Sequence, residues 1–224
     1  MKERYDRLTE RLHEAAQRSG RPFEEITLVG ISKTADAGAV REAHAAGLCH
    51  VGENRAQELS AKSDALRDLD LTWHMVGHVQ TNKINKLAGR IQVLQSLDRL
   101  DLAAALQSRW ASPLSCLVEV KTSAEPTKHG LLPADLPRFL DEMVPFENLM
   151  IRGLMTVGPL TDDLGEVRAA FRGLRRLYET ESGRRPRQEF RWLSMGMSGD
   201  YGIAVEEGST MVRIGTAIFG PRPA

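Results

Sequence analysis

A lysine closes the first strongly apolar run of the chain, Ile26-Thr-Leu-Val-Gly-Ile-Ser-Lys33. An amine that has shed its proton attacks an aldehyde and forms a Schiff base. Far downstream lie two turns rich in Gly, Ser and Thr: Ser194-Met-Gly-Met-Ser198, and Gly215-Thr216 behind Met211-Val-Arg-Ile214. Glycine lets a backbone approach a ligand closely, and hydroxyl and N–H groups donate to phosphate oxygens. One lysine and two such turns suit a phosphorylated aldehyde, provided the fold brings them together.

The elements that must do so are legible in the apolar pattern. Tyr5, Leu8, Leu12, Ala15 and Ala16 recur at helical spacing, which predicts an amphipathic helix ending at Gly20. Short apolar runs at 26–31, 48–51, 72–76, 91–94, 114–120, 150–155, 190–194 and 211–214 read as strands. Helix-like stretches lie between most of them, among them 39–46, 53–69, 100–110 and 164–180. Repeated strand-then-helix order implies parallel strands with right-handed crossovers. The expectation is an α/β fold, a single (β/α)8 TIM-type barrel with an extra N-terminal helix, occupying residues 1–224 as one domain. A doubly wound open sheet is the structural alternative. The first strand, however, leads into Gly30-Ile-Ser-Lys-Thr-Ala35 and carries no Gly-x-Gly-x-x-Gly. Polar residues follow nearly every strand instead: Lys33, Glu53-Asn54, His78, Ser96, Lys121, Thr156, Ser194 and Arg213. A barrel draws its site from all its C-terminal loops and often holds phosphate after the seventh and eighth strands. Lys33 at that mouth is expected to be desolvated, which lowers an amine's proton affinity. Strand eight pairs with strand one in a closed barrel, so Arg213 is expected beside Lys33.

Composition narrows the function. Lys+Arg and Asp+Glu are equal at 30 each, which argues against a nucleic-acid binder that needs a basic face. No apolar run approaches the length that crosses a bilayer, and the charged start Met1-Lys-Glu-Arg lacks a signal-peptide core. Cys49 and Cys116 are far apart without metal-type spacing, which fits reduced thiols in the cytoplasm. His74 and His78 have the i, i+4 spacing of helical zinc ligands, but His74 falls in a strand-like stretch. No third ligand is evident in the sequence, and no metal is expected.

Leu193-Ser-Met-Gly-Met-Ser198, Met211-Val-Arg-Ile-Gly-Thr-Ala-Ile-Phe-Gly220 and the Ser32-Lys-Thr34 segment resemble the pyridoxal phosphate homeostasis family, a relative of the alanine racemase barrel. The likeness runs over almost the whole chain. It implies pyridoxal 5'-phosphate as cofactor, carried as a Schiff base on Lys33. It also implies phosphate contacts from Ser194, Gly196, Met197, Gly215 and Thr216, and an Arg213 guanidinium donating to the pyridine nitrogen. Gly52-Glu-Asn54 resembles a family segment in which Asn54 meets the ring oxygen or the lysine. Glu53 reads equally well as an acidic residue in the first turn of the next helix. Trp73-His-Met-Val-Gly-His-Val-Gln-Thr-Asn-Lys83 resembles another family segment, in which His78, Asn82 and Lys83 are rim groups; surface or capping roles are the competing reading. Thr127-Lys-His-Gly130 matches a Lys-x-Gly region, where Lys128 reads as a solvated loop lysine or a phosphate contact.

The resemblance implies a role in vitamin B6 homeostasis, as a carrier or buffer more than a catalyst. Apoenzymes that use the cofactor are the expected recipients, and a monomer is expected. The rival is an amino-acid racemase or isomerase. Two-base racemases of this barrel add a second domain bearing the opposite-face tyrosine, whereas this sequence ends at Ala224, soon after the last strand. Tyr201 near the phosphate turn keeps that rival open. A third reading is a barrel that binds a phosphorylated metabolite without a cofactor.

Overall fold

The computed structural model describes residues 1–123, 125, 128–185 and 189–221. Eight parallel strands close a barrel in sequence order. The order is α1 (Lys2–Arg18), β1 (Thr27–Ile31), α2 (Ala37–Ala45), β2 (His50–Glu53), α3 (Ala56–Ala65), β3 (Thr72–Met75), α4 (Ile84–Leu87) and β4 (Val93–Leu97). It continues with α5 (Leu100–Gln107), β5 (Leu114–Glu119), α6 (Leu136–Glu142), β6 (Leu149–Met155), α7 (Leu164–Arg184), β7 (Trp192–Ser194), α8 (Tyr201–Glu206), β8 (Met211–Ile214) and α9 (Thr216–Phe219). Each predicted strand overlaps an observed one.

Parallel strands covered on both faces need apolar residues on both. Val29, Ile31, Leu117, Met155 and Met211 fill the barrel interior. The opposite faces pack on helix residues such as Leu59 of α3, Leu102 of α5 and Phe171 of α7. Helix α1 buries Leu8, Leu12, Ala15 and Ala16, as its periodicity predicts. Arg4 Nε donates to the Ile218 carbonyl at 2.8 Å and Arg21 to that of Ser209 at 2.8 Å, fastening α1 over the last two βα units. Asp163 caps α7 by accepting from the N–H groups of Gly165 and Glu166.

Three readings change. Strand β2 lies two residues further along than predicted, so Glu53 ends a strand and is buried, not in the first turn of α3. Strand β4 reaches Leu97, which places Ser96 inside the strand. Arg213 pairs in register with Val29 and Ile214 with Gly30. Lys33 therefore stands four residues further along the chain than the partner of Arg213, and the two are not side by side. The strands are adjacent as expected, but Arg213 faces inward below the mouth while Lys33 lies beyond it.

Candidate active site at the barrel mouth

Lys33 follows buried Ser32 and is itself exposed. The desolvation expected of it is absent, because the lysine sits in a turn that has left the barrel wall. Ala35 N–H donates to the Ser32 carbonyl at 2.9 Å, closing that turn. Thr34 occupies φ 71°, a conformation that costs a β-branched residue about 1–3 kcal/mol. The surroundings hold the turn in place. Glu53 Oε1 accepts from Ser32 Oγ at 2.6 Å and from Lys62 Nζ of α3 at 2.5 Å. Lys62 Nζ also donates to the Ser32 carbonyl at 2.6 Å. The hydroxyl and the carbonyl of the residue before Lys33 are thus gripped by a buried ion pair.

The β8–α9 turn borders the same space. Lys33, Thr34, Asp36, Gly215, Thr216 and Phe219 line a cavity of about 260 Å³. Across the mouth, Gly196 has φ 98°, and a Cβ there would lie 2.6 Å from that of Ala204. Only glycine fits this turn. The Gly196 carbonyl accepts from Arg213 N–H at 3.0 Å. Met197 is exposed, and its N–H donates to Asp200 Oδ1 at 2.5 Å. Asn54 is exposed at the end of β2, and a Cβ on Gly77 would come within 2.2 Å of its carbonyl. Gly77 therefore lets the loops after β2 and β3 touch.

Ser194 and Arg213 lie deeper. Arg213 is buried and donates to Ser194 Oγ at 2.6 Å and to the Thr156 carbonyl at 2.7 Å. Among the described residues no carboxylate forms an ion pair with it. Burial lowers the guanidinium to about 10, against the pull of Glu119 and Asp200. Ser194 Oγ donates in turn to Gln95 Oε1 at 2.7 Å. Its hydroxyl therefore points down the barrel, toward Arg213 and Gln95.

Glu119 ends β5, buried, with its carboxyl raised to about 7 by burial and by Asp98, while Arg213 opposes the shift. The folded chain holds this proton more tightly than the unfolded chain. Its contribution to stability is full below about pH 4.3 and fades as pH rises through about 7. Glu119→Gln is expected to gain on the parent across that interval and by a constant amount above it. Urea unfolding of the two cofactor-free proteins at each end of the interval checks this; a difference independent of pH would rule it out.

The two histidines of the i, i+4 pair part company. His74 is buried inside the barrel, whereas His78 is exposed after β3. The ligand atoms of His78, Asp98 and His129 lie within 4.8 Å of one another, so a third group exists in space that the sequence did not reveal. Arg99 already occupies that carboxylate, donating to Asp98 Oδ1 at 2.8 Å. Lys128 is not a solvated lysine: it donates to the Gly158 carbonyl and pairs with Glu125 at 2.7 Å. Thr127 of its motif lies outside the described residues. Asn82 is exposed and Lys83 half-buried in the turn Thr81–Lys83, with no side-chain hydrogen bond among the described residues.

Residues 4–223 match the family described as alanine racemase, N-terminal domain. A pyridoxal phosphate homeostasis protein of Aquifex aeolicus is 41% identical over 223 residues, 98% of this chain and 97% of that protein. The chain belongs to the pyridoxal phosphate homeostasis protein family. PipY of Synechococcus elongatus, solved with PLP bound, is 38% identical with a TM-score of 0.83, covering 95% of this chain and 99% of that one. An alanine racemase of Clostridium difficile shares the fold at 14% identity and a TM-score of 0.70, covering 97% of this chain and 57% of that one. The motifs in the sequence marked Lys33, both glycine turns and Arg213 as candidates. They did not find Lys62, Gln95 or Glu119. The available signal was a polar residue inside an apolar strand, which Gln95 and Glu119 both are.

Proposed function

We propose that this protein binds pyridoxal 5'-phosphate at the barrel mouth and holds it in reserve for the cell's vitamin B6 supply. The observation that carries this is the pairing of an exposed lysine beside a glycine turn with a buried guanidinium that has no carboxylate ion-pair partner among the described residues. An aldehyde needs an accessible amine, and an aromatic nitrogen needs a donor in a dry pocket. The residues present fit both requirements. When bound, the cofactor supplies an electrophilic carbon and an electron-accepting ring.

Lys33 provides the amine. Gly215 and Thr216, with the backbone of Gly196 and Met197, take the phosphate, and Asn54 meets the ring edge. Arg213 faces the ring nitrogen, and Ser194 acts through it by fixing its guanidinium. A guanidinium donates and does not readily release its proton, so the nitrogen it faces stays neutral. A neutral ring withdraws electrons weakly, which suits storage more than catalysis. The 1–224 chain works as one barrel unit and as a monomer in the cytoplasm, passing its cofactor to apoenzymes. The similarity to pyridoxal phosphate homeostasis proteins, and to PipY solved with PLP bound, supports this reading. No helix among the described residues is long and apolar enough to cross a membrane. Adding pyridoxal phosphate to cofactor-free protein is expected to give a visible absorption band saturating at one per chain. Pyridoxal, lacking the phosphate, is expected to bind far more weakly; equal binding of the two would remove the phosphate turns from the account.

A further inference from the structure

A line of polar side chains crosses the barrel interior from its N-terminal end to Arg213. His50 begins β2, half-buried, and its Nδ1 lies 3.0 Å from His74 Nε2. His74 Nδ1 lies 2.9 Å from Gln95 Nε2, and Gln95 Oε1 accepts from Ser194 Oγ at 2.7 Å. Ser194 Oγ accepts from Arg213 at 2.6 Å. His74, Gln95, Ser194 and Arg213 are all buried. Gln95 Nε2 also lies 3.2 Å from Met211 Sδ, a member of the apolar cluster that Met211 forms with Val29, Ile31, Leu117 and Met155.

The direction of every hydrogen in this line follows from its ends. Arg213 has donors only, so Ser194 must accept from it and give its own hydrogen to the Gln95 carbonyl. The Gln95 amide then donates to His74 Nδ1, which leaves His74 its hydrogen on Nε2. That hydrogen goes to His50 Nδ1. All the donors point one way, from the mouth to the base.

We infer that His50, His74 and Gln95 are positioning residues for Arg213, and that protonation of His50 at the base loosens the guanidinium at the mouth. The inference rests on the reading that Arg213 faces the ring nitrogen. A proton added to His50 Nδ1 comes from solvent and meets the hydrogen that His74 already presents. The conflict resolves along the line if His74 becomes the Nδ1–H form, Gln95 turns its amide over, and Ser194 accepts from Gln95. Ser194 then accepts from two donors, its own hydrogen loses the Gln95 acceptor, and Arg213 shares its oxygen partner.

The surroundings of His50 leave this line as its main charged outlet. Its register partners are Val29 on β1 and Thr72 on β3, both uncharged. Burial alone lowers its proton affinity, and His74 is lowered further by burial and by His50. At the other end Glu119 and Asp200 face Arg213, and His78, Asp98, Arg99, Asp101 and His129 gather at the rim. These mouth groups are the same in parent and His50 variants, so the difference between them reads His50.

Two measurements test the inference. In cofactor-free protein at about pH 7.5, nitrogen NMR is expected to show His74 with its hydrogen on Nε2 and an accepting Nδ1. In loaded protein, release of pyridoxal phosphate is expected to quicken about tenfold from about pH 7.5 to about pH 5, a span carried below the ordinary histidine value because burial lowers His50. His50→Asn keeps an acceptor for His74 without titrating, and is expected to lose most of that rise. Gln95→Met is expected to release quickly at both values. A His50→Asn profile matching the parent, or His74 carrying its hydrogen on Nδ1 at the higher pH, overturns the inference. Failure of pyridoxal phosphate to bind at all overturns the proposed function instead, and the NMR result then still decides the relay.

Discussion

Lys33→Ala is expected to abolish the visible absorption band that pyridoxal phosphate gives with the parent protein, while leaving the barrel intact. Lys33 is exposed and makes no side-chain hydrogen bond among the described residues, so removing it disturbs little packing. A surface change of that kind shifts stability by no more than about 0.5 kcal/mol. The expected effect on the cofactor is large because the proposed covalent attachment would be lost, leaving only the proposed phosphate and ring contacts. Equilibrium dialysis with absorbance, alongside urea unfolding, separates the two effects. A variant with the parent's band would move the attachment to another lysine. A variant that is unfolded would show that the Ser32–Ala35 turn depends on Lys33 itself and not on the Glu53–Lys62 grip.

Arg213→Glu is expected to raise the rate at which alanine's α-hydrogen exchanges with solvent deuterium by at least about tenfold. Proton NMR of alanine in heavy water, with loaded protein, follows that exchange. An anion beside the ring nitrogen favours its protonated form, and a protonated ring draws electrons from the α-carbon more strongly. The neighbourhood modifies the experiment. Glu119 lies close enough to Arg213 to feel its charge, and its carboxyl already sits at about 7. A second carboxyl there, with the arginine gone, raises the first further and shares its proton, so the exchange is followed as a pH series and not at one value. Arg213→Met, which removes the guanidinium without adding an anion, is the control and should exchange less than Arg213→Glu. Equal exchange in parent, Met and Glu variants would make Arg213 a strut for Ser194 and Thr156 and nothing more.

The fold was readable because its signals are local. Each strand is a short apolar run bounded by polar residues, and α1 shows its buried stripe at Leu8, Leu12, Ala15 and Ala16. The strand-then-helix repeat then leaves few topologies. The two turns were readable too, since Gly196 and Gly215 mark them by their type. What escaped depends on contacts between distant segments. Glu53 looked like a helix-start acid because β2 appeared to end at Val51; two more residues of strand turn it into a buried partner for Lys62. Lys33 looked desolvated because strand order alone does not say how far the chain runs beyond the wall. The His50–His74–Gln95–Ser194 line joins four strands, and the trio His78, Asp98 and His129 joins three loops. No spacing in the sequence announces either.

Borohydride reduction of the loaded protein followed by peptide mass mapping tests the central claim most directly, because it fixes the cofactor where it is attached. The expected result is one reduced pyridoxyl phosphate per chain, on the peptide containing Lys33. A label found mainly on Lys62, Lys83, Lys121 or Lys128 would contradict the account.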